Sequence, residues 1–144
     1  MASGQLAFDD LCYYTLSHGD PSFIHQHVVD AFAAQSSTGH DKPIRLTFAL
    51  VGLYLHVEEG FSGRQVQLAH MRLAQNKRQW PAFTLPHNRG AITVTDVIAV
   101  AEGAERDRMI HEWCASVWDA FRGNREIVMN LVRDIPPSAP RRAT

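Results

Sequence analysis

The chain has 144 residues, of which 45% are hydrophobic. This length and composition fit one compact domain that can bury enough apolar surface to fold without disulfides. Fourteen basic and fifteen acidic residues leave a net charge of −1, which argues against a dedicated nucleic-acid binder or a polybasic membrane anchor. No apolar run reaches the roughly 18 residues that a transmembrane helix requires, so no membrane partner is expected.

The N-terminus has neither the basic nor the apolar segment of a secretory signal peptide. The two cysteines, Cys12 and Cys114, are far apart and form no Cys-x-x-Cys motif, so a zinc ribbon or a thioredoxin-type site is not indicated. We expect two reduced thiols that pack as small apolar side chains in a cytoplasmic protein. A metal ligand or a redox thiol is the alternative.

Breaks rich in glycine, proline and serine separate segments of helical periodicity. The first predicted helix covers residues 6–17. The second covers residues 21–35, with Asp20 as N-cap and Pro21 at the first helical position. The third covers residues 43–59 and ends at Gly60. The fourth is capped by Ser62 and continues to about residue 79.

The second half of the chain continues this pattern. Thr93 and Asp96 resemble a capping box that opens a short helix, although residues 91–100 are rich enough in Ile, Val and Thr for a short extended piece. Longer helices are predicted at residues 104–121 and 125–133. Because no strand partner is evident, the sequence predicts an all-α protein: a single-domain bundle of five to six helices at residues 1–135, followed by a flexible tail at 136–144.

The third predicted helix is apolar nearly all round, which is typical of a helix at the centre of a bundle. One stripe of it differs, and small residues there would let another backbone or a ligand approach: Arg45, Ala49, Gly52, His56 and Glu59.

Histidine is the only strong oddity of composition, with eight residues. His27 with Asp30, and His56 with Glu59, each place an imidazole and a carboxylate three residues apart on one helical face. Bundle proteins build metal sites from such pairs on facing helices.

His70 faces the interior from the fourth helix and completes the predicted ligand set His27, His56 and His70. Three histidines would hold a divalent ion such as zinc, nickel or iron and leave a position for a reactive water. Asp30 or Glu59 would act beside the ligands as an acid or base. The alternative is that these histidines are packed core residues with satisfied ring nitrogens.

A second hypothesis is a non-catalytic module that binds a small ligand or a protein. The loop at residues 80–90 carries large apolar side chains and prolines, and such a loop covers a cleft or closes the core. The predicted cleft residues are Trp80, Phe83, Leu85 and His111. Trp113 and Trp118 diverge on their helix, so one of them could face a partner in a homodimer.

Several segments together resemble a family of uncharacterised bacterial all-helical proteins. The resemblance covers about residues 11–121 and implies no known activity, so whether the protein is an enzyme is left open. More distantly, histidines on a small bundle are similar to the three-histidine metalloproteins of the DinB-like class, which is an analogy of fold. The cysteine pair with which some related proteins begin is missing here. The segments that carry the resemblance are residues 12–18, 23–30, 52–55, 63–67, 80–81, 92–94 and 113–118.

Overall fold

The computed structural model describes residues 2–75 and 79–135. Within these ranges every regular element is helical, and the order is α1 (Ala2–Ser17), α2 (His25–Gln35), α3 (Pro43–Val57), α4 (Gly63–Gln75), α5 (Val94–Ile98), α6 (Ala104–Ala120), a 3-10 turn (Arg122–Asn124) and α7 (Arg125–Arg133). The prediction of an all-α fold is confirmed. The described residues form seven α-helices where five to six were predicted. The predicted tail at residues 136–144 and residues 76–78 of the predicted fourth helix lie outside the described residues.

The start of α2 differs from the prediction and has a local cause. The helix begins at His25, not at Pro21. Asp20 does accept hydrogen bonds, from the backbone N–H groups of Ser22 and Ile24, but Phe23 lies between them at φ 61°. A left-handed residue cannot belong to a right-handed helix, so Asp20 closes a turn ahead of α2.

Helix α3 lies at the centre of the fold, as its apolar sequence predicts. It packs against α2, α4, α6 and α7, and Leu50, Val51 and Leu53 are almost fully buried. Burying an apolar side chain of this size contributes roughly 1.5–3 kcal/mol to the free energy of unfolding. The α2–α3 interface is therefore held rigidly from several sides, and residues on it have little freedom to move.

The segment between α4 and α6 is fixed by buried polar contacts. The amide of Gln35 donates to the carbonyl oxygens of Arg89 and Ile92, while its oxygen accepts from the indole of Trp113 at 2.9 Å. Thr93 and Asp96 form the predicted capping box of α5. Residues 91–100 contain no strand, and Thr93, just before the helix, has extended backbone angles (φ −119°, ψ 168°). No helix in the described ranges is long and apolar enough to cross a membrane.

Candidate functional site

Two groups of polar side chains lie on the α2–α3 interface, about one helical turn apart. His27 and Asp30 are three residues apart on α2, and Gly52 and His56 are four residues apart on α3, so each pair shares a helical face. His27 meets His56, and Asp30 meets Gly52. The three-residue spacing of His27 and Asp30 therefore places these two α2 side chains in different surroundings.

We call His27, His56 and His111 the histidine cluster. The rings of His27 and His56 are stacked with centroids 3.6 Å apart and planes inclined by 20°. Nε2 of His56 lies 2.9 Å from Nδ1 of His111, and the centroids of those rings are 4.9 Å apart. Exposure increases along the series, since His27 is buried, His56 is half-buried and His111 is exposed. The cluster therefore connects the interior with solvent.

Hydrogen bonds define the ring states in the cluster. Nδ1 of His56 lies 3.0 Å from the carbonyl oxygen of Phe61. Because a carbonyl only accepts, Nδ1 carries the proton in the neutral ring, and Nε2 presents its lone pair towards His111. Nδ1 of His27 is buried and has no hydrogen-bond partner.

The cluster favours neutral imidazoles. Burial lowers the pKa of His27 to about 3, and the neighbouring His56 and His111 lower it further by like-charge repulsion. Burial also lowers the pKa values of His56 and His111. For His111 the negative charge of Asp107 acts in the opposite direction. Neutral imidazoles are the form in which histidine binds metals.

Asp30 is the most unusual charged residue of the interior. Its side chain is 3% exposed. Oδ1 accepts a hydrogen bond from Nε2 of Gln26 at 3.1 Å, whereas Oδ2 has no partner. Burial raises the pKa of this carboxyl well above its usual value, although the bond from Gln26 opposes the shift. Ionising a buried carboxyl without a counter-charge is costly, so burial favours the protonated form of Asp30.

Gly52 makes this position of Asp30 feasible. A Cβ atom at residue 52 would lie 1.9 Å from Oδ2 of Asp30 and 3.1 Å from Nε2 of His70. Only glycine leaves room there, so the absence of a side chain on α3 lets the carboxyl approach the helix backbone.

His70 lies beside Asp30 and not in the histidine cluster. Its Nε2–H donates to the carbonyl oxygen of Phe48 at 2.7 Å, and its ring lies 5.0 Å from the Phe48 ring. Burial lowers the pKa of His70 to about 4, so the ring is neutral near pH 7. His111 takes the position next to His56 that the sequence analysis gave to His70.

A cavity of about 500 Å³ opens beside Asp30 and His70. We call it the Asp30 cavity. Its apolar wall includes the stacked rings of Phe8 and Phe32, whose centroids are 4.1 Å apart. Gln26 stands beside Asp30 at the polar part of the wall. The full lining is Gln5, Phe8, Gln26, Val29, Asp30, Phe32, Ala33, Ile44, Arg45, Phe48, Ala49 and His70.

The other predicted site residues are more dispersed. Glu59 accepts a hydrogen bond from the hydroxyl of Tyr54 at 3.0 Å and is exposed. Phe83 and Leu85 line a cavity of about 160 Å³ beneath the predicted cleft loop, so space does open there. Trp80 packs edge-on against Phe48, with centroids 5.7 Å apart. The larger cavity lies elsewhere, between α1, α2, α3 and α4.

Neither cysteine is placed for redox or metal chemistry. Burial raises the pKa of Cys12 to about 11, with a further contribution from Asp9. Cys114 is fully buried, and burial raises the pKa of its thiol further, so both thiols are protonated and packed. This agrees with the expectation of small apolar side chains.

The residues 2–75 and 79–135 contain no group of three or more His, Cys, Asp or Glu side chains arranged to hold a metal ion. The rings of His27 and His56 are nearly parallel, so their lone pairs do not converge on one point. The predicted ligand set is not assembled as such, because His70 bonds to Phe48 one turn away.

Sequence reasoning missed the cavity and the role of Gln26. The signal that could have located the cavity was the stripe of small residues on α3, because Arg45 and Ala49 line the cavity and Gly52 contacts Asp30. The signal for Gln26 was its spacing from Asp30, because Gln and Asp four residues apart on a helix can form a hydrogen bond.

No curated protein and no solved structure matches the chain. The sequence profile of one family matches residues 5–122, which is most of the chain. The resemblance found in the sequence segments is thereby confirmed as a family relationship. The chain belongs to DUF5946, a family of unknown function.

Proposed function

We propose that the protein binds a small, largely apolar molecule that carries an amino group, and that the Asp30 cavity is its binding site. The observation that carries this proposal is that Asp30, a buried carboxyl group with one oxygen that has no hydrogen-bond partner, lines a large and mostly apolar cavity. Native proteins satisfy nearly all buried polar atoms, so an unsatisfied one beside a cavity favours a ligand as the missing partner.

The size and wall of the cavity suit an organic ligand. A volume of about 500 Å³ falls within the roughly 300–1,000 Å³ typical of small-molecule sites. Phe8, Phe32 and Phe48 supply aromatic surface, and Ala33 and Ala49 leave room beside them. Ile44 and Arg45 are exposed, and ligand entry is assigned to their side of the cavity.

The polar part of the wall favours a nitrogen donor. An ionised Asp30 only accepts hydrogen bonds, and Gln26 already donates to one of its oxygens. Nε2–H of His70 is committed to the Phe48 carbonyl. An ammonium group would compensate the carboxylate charge and lower the cost of ionising it. A ligand carboxylate would instead place a second negative charge beside Asp30.

The test uses three compounds that share one ring and differ in charge: phenethylamine, 2-phenylethanol and phenylacetate. We expect the amine to bind most tightly, measured by calorimetry and by protein chemical shifts near the cavity. Asp30→Asn should weaken amine binding about tenfold or more, since a hydrogen bond to a charged group contributes roughly 1.5–3 kcal/mol. Binding of the alcohol should change much less.

A cavity-filling variant separates the site from non-specific binding. Ala33→Leu places a larger side chain in the cavity wall and should weaken all three compounds. Ala74→Leu makes the same change at an exposed position on α4 and should leave binding unchanged. Tightest binding by phenylacetate, or equal binding to wild type and Ala33→Leu, would contradict the proposal.

The domain organisation, the compartment and the oligomeric state that we propose are those predicted from the sequence. We infer that residues 1–135 act as one domain, which the single hydrophobic cluster spanning α1 to α7 supports. Two free, protonated cysteines suit a reducing compartment such as the cytoplasm. Homodimer formation stays a prediction, and size-exclusion chromatography with light scattering tests it.

A further inference from the structure

We infer that His56 and His111 form a two-histidine chelate for a divalent transition metal of the nickel or copper type. This site is separate from the Asp30 cavity and does not depend on the proposed ligand. It also differs from the ligand set that the sequence predicted, because His111 replaces His70 and His27 supports the site without being a ligand.

The separation of the two nitrogens carries the inference. Nε2 of His56 and Nδ1 of His111 are 2.9 Å apart. Two nitrogens that each lie about 2.0–2.1 Å from one ion are about 2.9 Å apart when they subtend a right angle at it. Tetrahedral zinc sites require a wider separation, whereas square-planar and tetragonal Ni²⁺ and Cu²⁺ use right angles.

The surroundings of His56 are those of a metal ligand. Its Nδ1–H donates to the carbonyl oxygen of Phe61, and this outer hydrogen bond fixes the tautomer and aims the Nε2 lone pair outwards. The ring of His27 stacks on the same imidazole at 3.6 Å and limits its rotation. Metal binding requires the hydrogen bond between His56 and His111 to break, and the exposed ring of His111 to turn and change its tautomer.

The change at His111 is a tautomer shift. Nδ1–H of His111 donates a hydrogen bond to Nε2 of His56, since the latter can only accept. On metal binding this hydrogen bond breaks, the proton moves through solvent to Nε2 of His111, and the His111 ring turns until the lone pair of its Nδ1 and that of His56 Nε2 converge on the ion. His111 is exposed, so the ion and the proton both have a route, and water molecules complete the coordination sphere.

The charge near the cluster also favours a cation. Asp107, four residues before His111 on α6, acts on the His111 ring, and Asp20 acts on the His27 ring. Both carboxylates have other hydrogen-bond partners, Tyr14 for Asp107 and Ser22 for Asp20. They therefore attract the ion electrostatically and are not assigned as ligands.

The experiment titrates the full chain, without a histidine tag, with NiCl₂ by calorimetry and with Cu²⁺ followed by electron paramagnetic resonance. We expect one equivalent of Ni²⁺ and a Cu²⁺ spectrum with hyperfine structure from two nitrogens. His111→Ala changes an exposed side chain, so the fold should persist. Affinity should fall by at least the roughly 10–100-fold that loss of an outer-shell partner alone costs.

Two further variants make the assignment specific. His40→Ala removes an exposed histidine in the loop before α3 and should leave binding unchanged. His27→Phe keeps an aromatic ring against His56 and should retain binding within about twofold. Wild-type affinity in His111→Ala would overturn the inference. Loss of binding in His27→Phe, or binding of Zn²⁺ but not Ni²⁺, would show that the ligand set and geometry are wrong.

Discussion

The Asp30 cavity and the histidine cluster occupy neighbouring turns of the same two helices, yet they differ in what they offer a ligand. The cavity has volume, mostly apolar walls and the carboxyl residue Asp30 in its lining. The cluster has three imidazoles in direct contact. The difference arises from the α3 residue that faces α2 at each turn. Gly52 leaves room for the carboxyl of Asp30, whereas His56 places its ring against the ring of His27. One helix interface can thus support two kinds of chemistry within a single turn.

Burial shifts the pKa values of Asp30 and His70, the two buried ionisable side chains that line the cavity, in opposite directions. It raises the pKa of Asp30 and lowers that of His70, because both groups are easier to bury uncharged. A neutral pair at the cavity wall is therefore the resting state. An amine that binds there would have to ionise Asp30, which couples ligand binding to proton release.

The largest expected effect comes from removing the space at Gly52. Gly52→Ala places a methyl group on the Asp30 carboxyl, and we expect a loss of about 3 kcal/mol in the free energy of unfolding, at the upper end for overpacking. This exceeds the roughly 1 kcal/mol that alanine adds in a helix. Urea denaturation measures it. Gly4→Ala, with nothing within 4 Å, is the matched control and should not destabilise.

A double variant makes that prediction specific to the carboxyl. Asp30→Ala together with Gly52→Ala leaves room for the methyl group, so the loss from Gly52→Ala should shrink in the Asp30→Ala background. Additive losses would mean that the methyl group collides with something other than Asp30.

The next effect concerns acid stability and His70. The folded pKa of about 4 lies below the unfolded value of 6.5, so the unfolded chain binds more protons between these values. The contribution of His70 to stability is complete above pH 6.5 and falls as the pH drops towards 4, by roughly 2 kcal/mol at pH 4.5 to 5. His70→Gln retains a donor for the Phe48 carbonyl and should flatten this fall. Urea denaturation across pH 4–7 measures it, with His40→Gln as control for loss of a histidine.

The smallest effect is the opposite pH dependence of Asp30. Because its folded pKa is raised, stability is reduced as the pH rises above the ordinary carboxyl pKa. Asp30→Asn cannot ionise, so its stability relative to wild type should improve steadily from pH 4 to pH 7. The same denaturation series gives the slope. Parallel curves for wild type and variant would show that Asp30 is not kept protonated by burial.

Much of the fold was predictable because helical periodicity is a local property. The all-α class, the central position of α3 and the capping box at Thr93 all follow from spacing and residue type. The start of α2 was not predictable from the sequence, because Asp20 and Pro21 are residue types that suit the first turn of a helix as well as the turn that they form here. The left-handed conformation of Phe23 decided otherwise.

The candidate site was predicted less completely. The sequence alone determined that polar residues would lie on inward faces of α2 and α3, and that a stripe of small residues on α3 would admit a neighbour. Only the tertiary structure decided which histidines meet, that Asp30 approaches Gly52, and that a cavity opens beside them. The physical reason is that a helix fixes the angle and height of its own side chains, whereas the offset between helices depends on packing over the whole core. That packing places His70 against Phe48 and His111 against His56.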